Sequence, residues 1–258
     1  MRSNPVKHAL ASGKTVIGSE ISRIRSTDIP RLFAAGGFDF VFIDTEHSPL
    51  GFETVSDLVA MARATGIVPI VRVTQAEYPL VARTLDVGAQ GIIIPRVNTA
   101  AEVREIVSWM KFPPFGVRGF ADTFAQTEGT RVTAQEFVEA GNSENLCVIQ
   151  IERREAVENV EEMLAVPGVD VACMGCMDLS VDLGVPGELD HPAMVESMNR
   201  VLAAAHKHNV AVGIISGRFD IVSRWMQAGM RFVSFGTETM LLQEVCTATV
   251  NRLRAVSQ

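Results

Sequence analysis

FDFVFIDTEHSPLGFETVSDLVAMARATGIVPIVRVTQAEYPLVARTLDVGAQGIIIPRV, residues 38–97, holds the pattern that decides the fold. Three near-continuous apolar runs, 38–44, 67–73 and 91–97, alternate with two stretches of helical spacing, 53–65 and 77–87. Short apolar runs of this kind suit parallel strands covered by helices, because neither face of such a strand meets water. Gly66 and Gly88 stand where the intervening helices should stop, as residues that tolerate a left-handed cap.

The same alternation continues in both directions. Further strands are expected at 15–21, 146–151, 169–174, 210–215 and 231–235, which makes eight. Helices are expected at 28–36, 99–110, 153–165, 192–209, 217–228 and 238–255, with Thr27 and Thr99 as caps and Gly36 and Gly229 as stops. Eight alternating units favour a closed (β/α)8 TIM barrel over an open doubly wound sheet, and no G-x-G-x-x-G follows the first strand. The 258 residues match the ~250 of a one-domain barrel, so a single α/β domain over 1–258 is expected. Segment 111–145 is long for a connection, with PPFGVRGFADTFAQTEG and a short extra helix expected near 134–140. Such insertions are usually functional loops or lids.

Composition narrows the function. A net charge of −7 with no basic stripe argues against nucleic acid as the partner. No apolar run approaches the ~18 residues of a membrane span, and MRSNPVKHALASGK lacks the apolar core of a signal peptide. A cytoplasmic location and no membrane partner are expected. Cys147, Cys173, Cys176 and Cys246 suggest no disulfide framework. Cys173 and Cys176 form a C-x-x-C, but inside the apolar run VDVACMG rather than at an exposed helix start, which disfavours a redox pair.

Barrel chemistry gathers at the C-terminal ends of the strands. Those positions hold Asp44, Glu46 and His47 after the second strand, Arg72 at the third and Arg96 at the fourth. Gln150 and Glu152 end the fifth, and Gly175 and Asp178 follow the sixth. Ser216 and Arg218 follow the seventh, Gly236 and Thr237 the eighth. Charged groups at one end of an apolar barrel must be paired or metal-bound. Glu152 and Asp178 on adjacent strands suit a hard divalent cation that keeps several waters, or each pairs with a nearby arginine. His47, beside carboxylates, suits a general base near neutral pH, or is a surface residue. Arg72 is placed to clamp a carboxylate or an enolate oxygen, or to form a salt bridge with Asp44 or Glu46. None of the four lysines, Lys7, Lys14, Lys111 and Lys207, ends a strand, which disfavours a Schiff base. GIISG and SFGTE are turns that can cradle a phosphate.

Taken in order, FDFVFIDTEHSP, IVPIVRV, LDVGAQGIIIPRV, FPPFGVRG, VIQIERREAVENVEEMLAVPGVD and MGCMDLSVDLG resemble the HpcH/HpaI aldolases, metal-dependent class II lyases specific for pyruvate. The likeness spans about residues 15 to 245. It implies that Glu152 and Asp178 hold the metal, Mg²⁺ or Mn²⁺ with Co²⁺ or Zn²⁺ as alternatives, and that Gln150 steadies it. It implies Arg72 on the keto or enolate oxygen, His47 as acid/base, and Asp44 or Asp86 orienting His47. Asp86, near the far end of a helix, would then be lent to a neighbouring subunit. The resemblance also implies backbone amides around Gly175, Cys176, Met177 and Asp178 for the pyruvate carboxylate, and a homo-oligomer, a hexamer built as a trimer of dimers. Helix 238–255 would serve as a packing element. The expected partners are thus pyruvate and an aldehyde. Two departures stand out. Gly175-Cys176-Met177-Asp178 replaces the family's G-P-small-D, and Arg96 stands where an apolar residue is usual, which suggests a contact to a second carboxylate on the aldehyde. The alternatives are a related barrel acting on phosphoenolpyruvate, oxaloacetate or an acyl-CoA ester, and a weakly catalytic binding protein on this scaffold.

Overall fold

The computed structural model describes residues 2–256; Met1, Ser257 and Gln258, the ends of the expected 1–258 domain, lie outside the described residues. Eight strands, β1 (Val16–Ile21), β2 (Phe40–Asp44), β3 (Val68–Arg72), β4 (Gly91–Ile94), β5 (Leu146–Ile151), β6 (Val171–Gly175), β7 (Ala211–Ser216) and β8 (Phe232–Thr237), pair in parallel and in chain order. β1 pairs with β8 and closes the barrel, with a register shift between Gly18 and Glu20. The architecture is a single-domain (β/α)8 TIM barrel.

Most of the helices return the chain from the mouth of the barrel to its base. They are α1 (Pro5–Ala11), α2 (Asp28–Ala35), α3 (Phe52–Thr65), α4 (Tyr78–Asp86), α5 (Ala100–Met110), α6 (Phe124–Thr127), α7 (Ala134–Glu144), α8 (Arg154–Glu158), α9 (Val160–Leu164), α10 (Cys176–Asp182), α11 (Pro192–His208), α12 (Phe219–Gln227) and α13 (Glu238–Val256). One apolar cluster fills the space between strands and helices, including Ile43, Val71, Ile92, Ile149, Met174 and Ile214. A second fills the barrel itself, with Phe40, Phe42, Ile70, Val148, Cys173 and Phe232, and α1 adds Val6 and Leu10 as a plug at the base.

Sequence pattern and structure differ at several places, among them α6, a single turn inside segment 111–145. α1 has no periodicity long enough to read, but Pro5 opens it and the Asn4 side chain caps Lys7 N at 3.2 Å. The expected helix 153–165 is interrupted at Asn159, whose side chain instead donates to Asn98 O at 2.9 Å. The expected strand 91–97 ends at Ile94, because Arg96 takes φ +58° and turns the chain out of the ladder. The exit of β6 is not a loop but α10, which carries Asp178 in its first turn.

The rings of Phe40 and Phe232 stack at 4.5 Å across the barrel floor. Gly18 makes room for them, since a Cβ there would fall 2.4 Å from the Phe40 ring. Gly18→Ala is therefore expected to cost about 1–3 kcal/mol by overpacking, read from the urea midpoint. An unchanged midpoint would show that this floor repacks freely.

Candidate active site

β2 ends on Asp44 and β3 on Arg72, and the register sets the two side by side. Arg72 Nε donates to Asp44 Oδ1 at 2.7 Å, and Asp44 is fully buried. The other Asp44 bonds come from the backbone: Glu46 N at 3.0 Å and His47 N at 3.1 Å. Burial opposes the charge of Asp44, but the Arg72 guanidinium and these amides outweigh it and hold its carboxyl below the usual range. Burial likewise works against Arg72, yet the Asp44 carboxylate, with Glu20 and Glu46 nearby, raises it. Both groups are charged. Arg72 also lies 3.4 Å from Glu46 Oε2 and donates through Nη1 to Gln150 Oε1 at 3.4 Å, over the Phe42 ring.

Glu152, one residue past β5, is buried. Its Oε1 accepts the Arg96 amide at 2.7 Å and its Oε2 accepts Gln150 Nε2. The left-handed turn at Arg96 delivers that amide. Such a backbone costs a non-glycine residue about 1 kcal/mol or more, and the charge-assisted bond offsets this. Burial, with Asp178 and Glu46 nearby, pushes Glu152 up to about 7, against the pull of the Arg96 amide and Arg72. Gly175 is required here: a Cβ would lie 2.6 Å from Glu152 Oε2 and 2.8 Å from Gln150 Nε2.

The structure brings Asp44, Arg72, Gln150, Glu152, Gly175 and Arg96 together, with His47 and Asp178 exposed at the rim. His47 Nε2 lies 3.7 Å from Glu46 Oε2, a buried oxygen without a hydrogen bond. Arg96 Nη2 holds Glu46 Oε1 at 2.8 Å. Cys176 turns its thiol into the outer apolar layer and offers the mouth only its backbone, while Met177 is 58% exposed. Asp86 ends α4 at the base of the barrel and pairs with Arg118 at 2.8 Å, away from its own mouth. In the turns GIISG and SFGTE, Gly217 and Gly236 leave the room that Met240 occupies beside both.

Glu20 escaped the reading of strand ends. It lies inside β1, and alternation from Val16 through Gly18 turns it into the barrel; that period-two count would have found it. Burial, with Asp44 and Glu238 nearby, pushes Glu20 up to about 7 against the pull of Arg72. Cys147 and Cys176 are buried and pushed up to about 12, and burial raises Cys173 as well, so none is a ready thiolate.

Among the described residues no three His, Cys, Asp or Glu side chains form a metal cage. The carboxylates of Glu152 and Asp178 nonetheless fit a hard cation. Asp178 adds to the cost of ionising Glu152, and oxygen donors of this kind suit an ion that keeps part of its water shell.

A parallel barrel with an arginine and paired carboxylates at its C-terminal mouth defines a class of barrel enzymes with metal-assisted chemistry. The chain belongs to the HpcH/HpaI aldolase/citrate lyase family, whose model matches residues 25–244. Aldolases of this family are divalent-metal-dependent aldehyde-lyases that cleave 4-hydroxy-2-oxo acids. The chain is 31% identical over 253 residues to 4-hydroxy-2-oxo-heptane-1,7-dioate aldolase of Escherichia coli, covering 98% of this chain and 95% of that one. It is 33% identical over 249 residues to 2-keto-3-deoxy-L-rhamnonate aldolase of Escherichia coli, covering 94% and 90%. The crystal structure of an HpcH/HpaI aldolase from Desulfitobacterium hafniense DCB-2 superposes with a TM-score of 0.90 at 32% identity, over 96% of each chain. Among the described residues no helix is long and apolar enough to cross a membrane.

Glu20 and Glu152 bind a proton near pH 7 when folded, against the ordinary 4.5. Between those values the folded protein keeps protons that the unfolded chain has released, so stability falls as pH rises through the window. Asp44 acts oppositely, but only at lower pH. In EDTA the denaturation midpoint is expected to fall from about pH 5 to about pH 8, and Glu20→Gln should remove part of that fall. A midpoint that climbs across this range would contradict the assignment of raised carboxyls.

Proposed function

We propose that the barrel mouth is the active site of a class II aldolase that reversibly cleaves a 4-hydroxy-2-oxo acid into pyruvate and an aldehyde. The observation that carries this reading is Arg72, fixed by Asp44 and reaching toward Gln150 between the Glu152–Asp178 pair and the His47 loop. Glu152 and Asp178 would hold the divalent cation, Mg²⁺ or Mn²⁺, with Co²⁺ or Zn²⁺ accepted by similar donors. When bound, the cation supplies Lewis-acid polarisation of the keto oxygen.

The protein's own groups do the rest. Backbone amides of Cys176, Met177 and Asp178, in the first turn of α10, receive the pyruvate carboxylate. Gln150 holds Glu152 in place through its amide. His47, directly or through a water, takes the proton from the 4-hydroxyl, and the C3–C4 bond breaks as the aldehyde carbonyl forms. The electron pair moves onto the pyruvyl oxygen, where the Arg72 guanidinium stabilises it. The enolate is then protonated at C3 to give pyruvate. Asp44 contributes by keeping Arg72 charged and aimed, and it orients the His47 loop through the backbone.

The enzyme acts as a homo-oligomer in the cytoplasm in this reading, with a trimer of dimers as its assembly. Glu238 is the only buried residue of α13, and Leu242, Val245, Val250, Leu253 and Val256 are exposed along it. An apolar groove of about 490 Å³ on the barrel wall, lined by Ile17, Phe38, Phe219, Val222, Met226 and Phe235, lies uncovered where a helix after β8 should pack. α13 of one copy seats in the groove of another. Asp86 serves a mouth only in such an assembly.

Deuterium exchange into the pyruvate methyl group, followed by NMR with Mg²⁺ or Mn²⁺ and with EDTA, tests the chemistry. Metal-dependent exchange is expected, and Arg72→Lys should slow it about 10²-fold or more, as for a lost transition-state donor. No exchange with any of these metals, or near-normal exchange in Arg72→Lys, would sink the reading. For the assembly, Val245→Glu with Leu253→Glu is expected to give a smaller species by light scattering. An unchanged mass would remove α13 from the interface.

A further inference from the structure

Most carboxylates around the mouth are engaged by a hydrogen bond or an ion pair. Asp44 holds Arg72, Glu46 holds Arg96, and Glu152 takes the Arg96 amide and Gln150. Glu238 accepts the amides of Ser22, Arg23 and Ile24 at 3.1, 2.6 and 2.8 Å. The Glu20 carboxyl, turned inward on β1, has no hydrogen bond or ion pair in the structure. Another unengaged polar atom lies on the adjacent strand. Ser234 Oγ on β8 is buried without a partner, and Ser234 is in register with Gly18, one inward step below Glu20.

Position gives these groups a task. In the closed order β1 to β8, β1 stands opposite β5, so Glu20 faces Glu152 across the mouth. If pyruvate is held on the β5–β6 side, as the proposed aldolase reading requires, the aldehyde half occupies the β8–β1–β2 side. There it meets His47 from the β2 loop, Glu20 and Ser234.

Resting on that reading, we propose that Glu20 is the specificity-determining residue for the aldehyde, selecting an uncharged, hydroxylated aldehyde over one that carries a carboxylate. An unpaired, half-buried carboxyl gains a hydrogen bond from a substrate hydroxyl, and its loss on an apolar substrate leaves the group unsatisfied. Held near 7, Glu20 can accept from or donate to that hydroxyl at neutral pH. An acidic tail would meet Glu20 and Asp44 together. Arg96, the cation of the β4 exit, is already held by Glu46.

The test compares kcat/KM with pyruvate and glyceraldehyde, propanal or succinic semialdehyde, in the wild type, Glu20→Gln and Glu20→Leu. The wild type is expected to prefer glyceraldehyde over both others by about tenfold or more. Glu20→Leu should lose that preference over propanal, while Glu20→Gln keeps part of it and admits succinic semialdehyde. Pyruvate methyl exchange is measured in parallel and should stay within about twofold in both variants, below the tenfold that 1.4 kcal/mol gives. An unchanged rank order with intact exchange would overturn the role of Glu20 and leave the aldolase standing. Exchange lost only in the variants would place Glu20 in enolisation instead and equally overturn it. Absence of exchange in the wild type would bring down the aldolase reading and this inference together.

Discussion

The Asp44–Arg72 pair is the interaction on which the mouth depends. Asp44 spends its oxygens on Arg72 and on the amides of Glu46 and His47, so one buried carboxylate fixes both an arginine and a loop. The loop is tied a second time, by Thr45 Oγ1 donating to Arg72 O at 2.6 Å. Losing one partner of such a pair typically costs about 3–5 kcal/mol, whereas replacing both with apolar groups is often neutral. Stability alone therefore does not explain why this end of the barrel is ionic. Pre-aimed charge does: Arg72 needs no reorganisation to meet an oxygen that becomes negative.

The mouth is also unbalanced on purpose of chemistry rather than of folding. Glu20, Asp44, Glu46 and Glu152 gather around Arg72, with Arg96 on Glu46 and Asp178 near Glu152, so carboxyl groups outnumber these guanidiniums. Glu20 and Glu152 hold protons more tightly than free carboxyls, chiefly through burial and further through their carboxylate neighbours. A cation at Glu152 and Asp178 would relieve the same strain, so proton and metal compete for one carboxylate.

The alternation of apolar runs with helical spacing was enough to read the barrel, because parallel strands buried on both faces carry an unbroken signal. Strand ends then pointed to Asp44, Arg72, Gln150 and Glu152, since charge at the end of such a run has few structural uses. Glu20 was not legible that way: it sits within a strand, and only the inward count from Val16 marks it. α10 was hidden for another reason. Seven residues starting at Cys176 are too few for periodicity, and the glycine before them reads as a loop. The departure at Cys176-Met177 also looks different in three dimensions. The Cys176 thiol is packed in the outer layer, so the change alters the start of α10 and the rim at Met177 while Glu152 and Asp178, the proposed metal pair, keep their carboxylates.

Two walls of the mouth thus divide the work. The β5–β6 wall carries the carboxylate pair, Gln150 and the glycine that admits them, a set with little freedom to vary because a single Cβ at Gly175 would fill it. The β8–β1 wall carries Glu20 and Ser234, which no internal bond constrains, and so, in the proposed reading, it is the wall on which substrate preference would change without disturbing the chemistry. That wall is not isolated from the surface. Glu238, the first residue of α13, gathers the amides of Ser22, Arg23 and Ile24 just beyond β1. α13 then leaves the barrel with its apolar stripe exposed. A contact that positions α13 therefore reaches, through one carboxylate, the loop beside Glu20, so the proposed aldehyde preference and the proposed assembly would share that link.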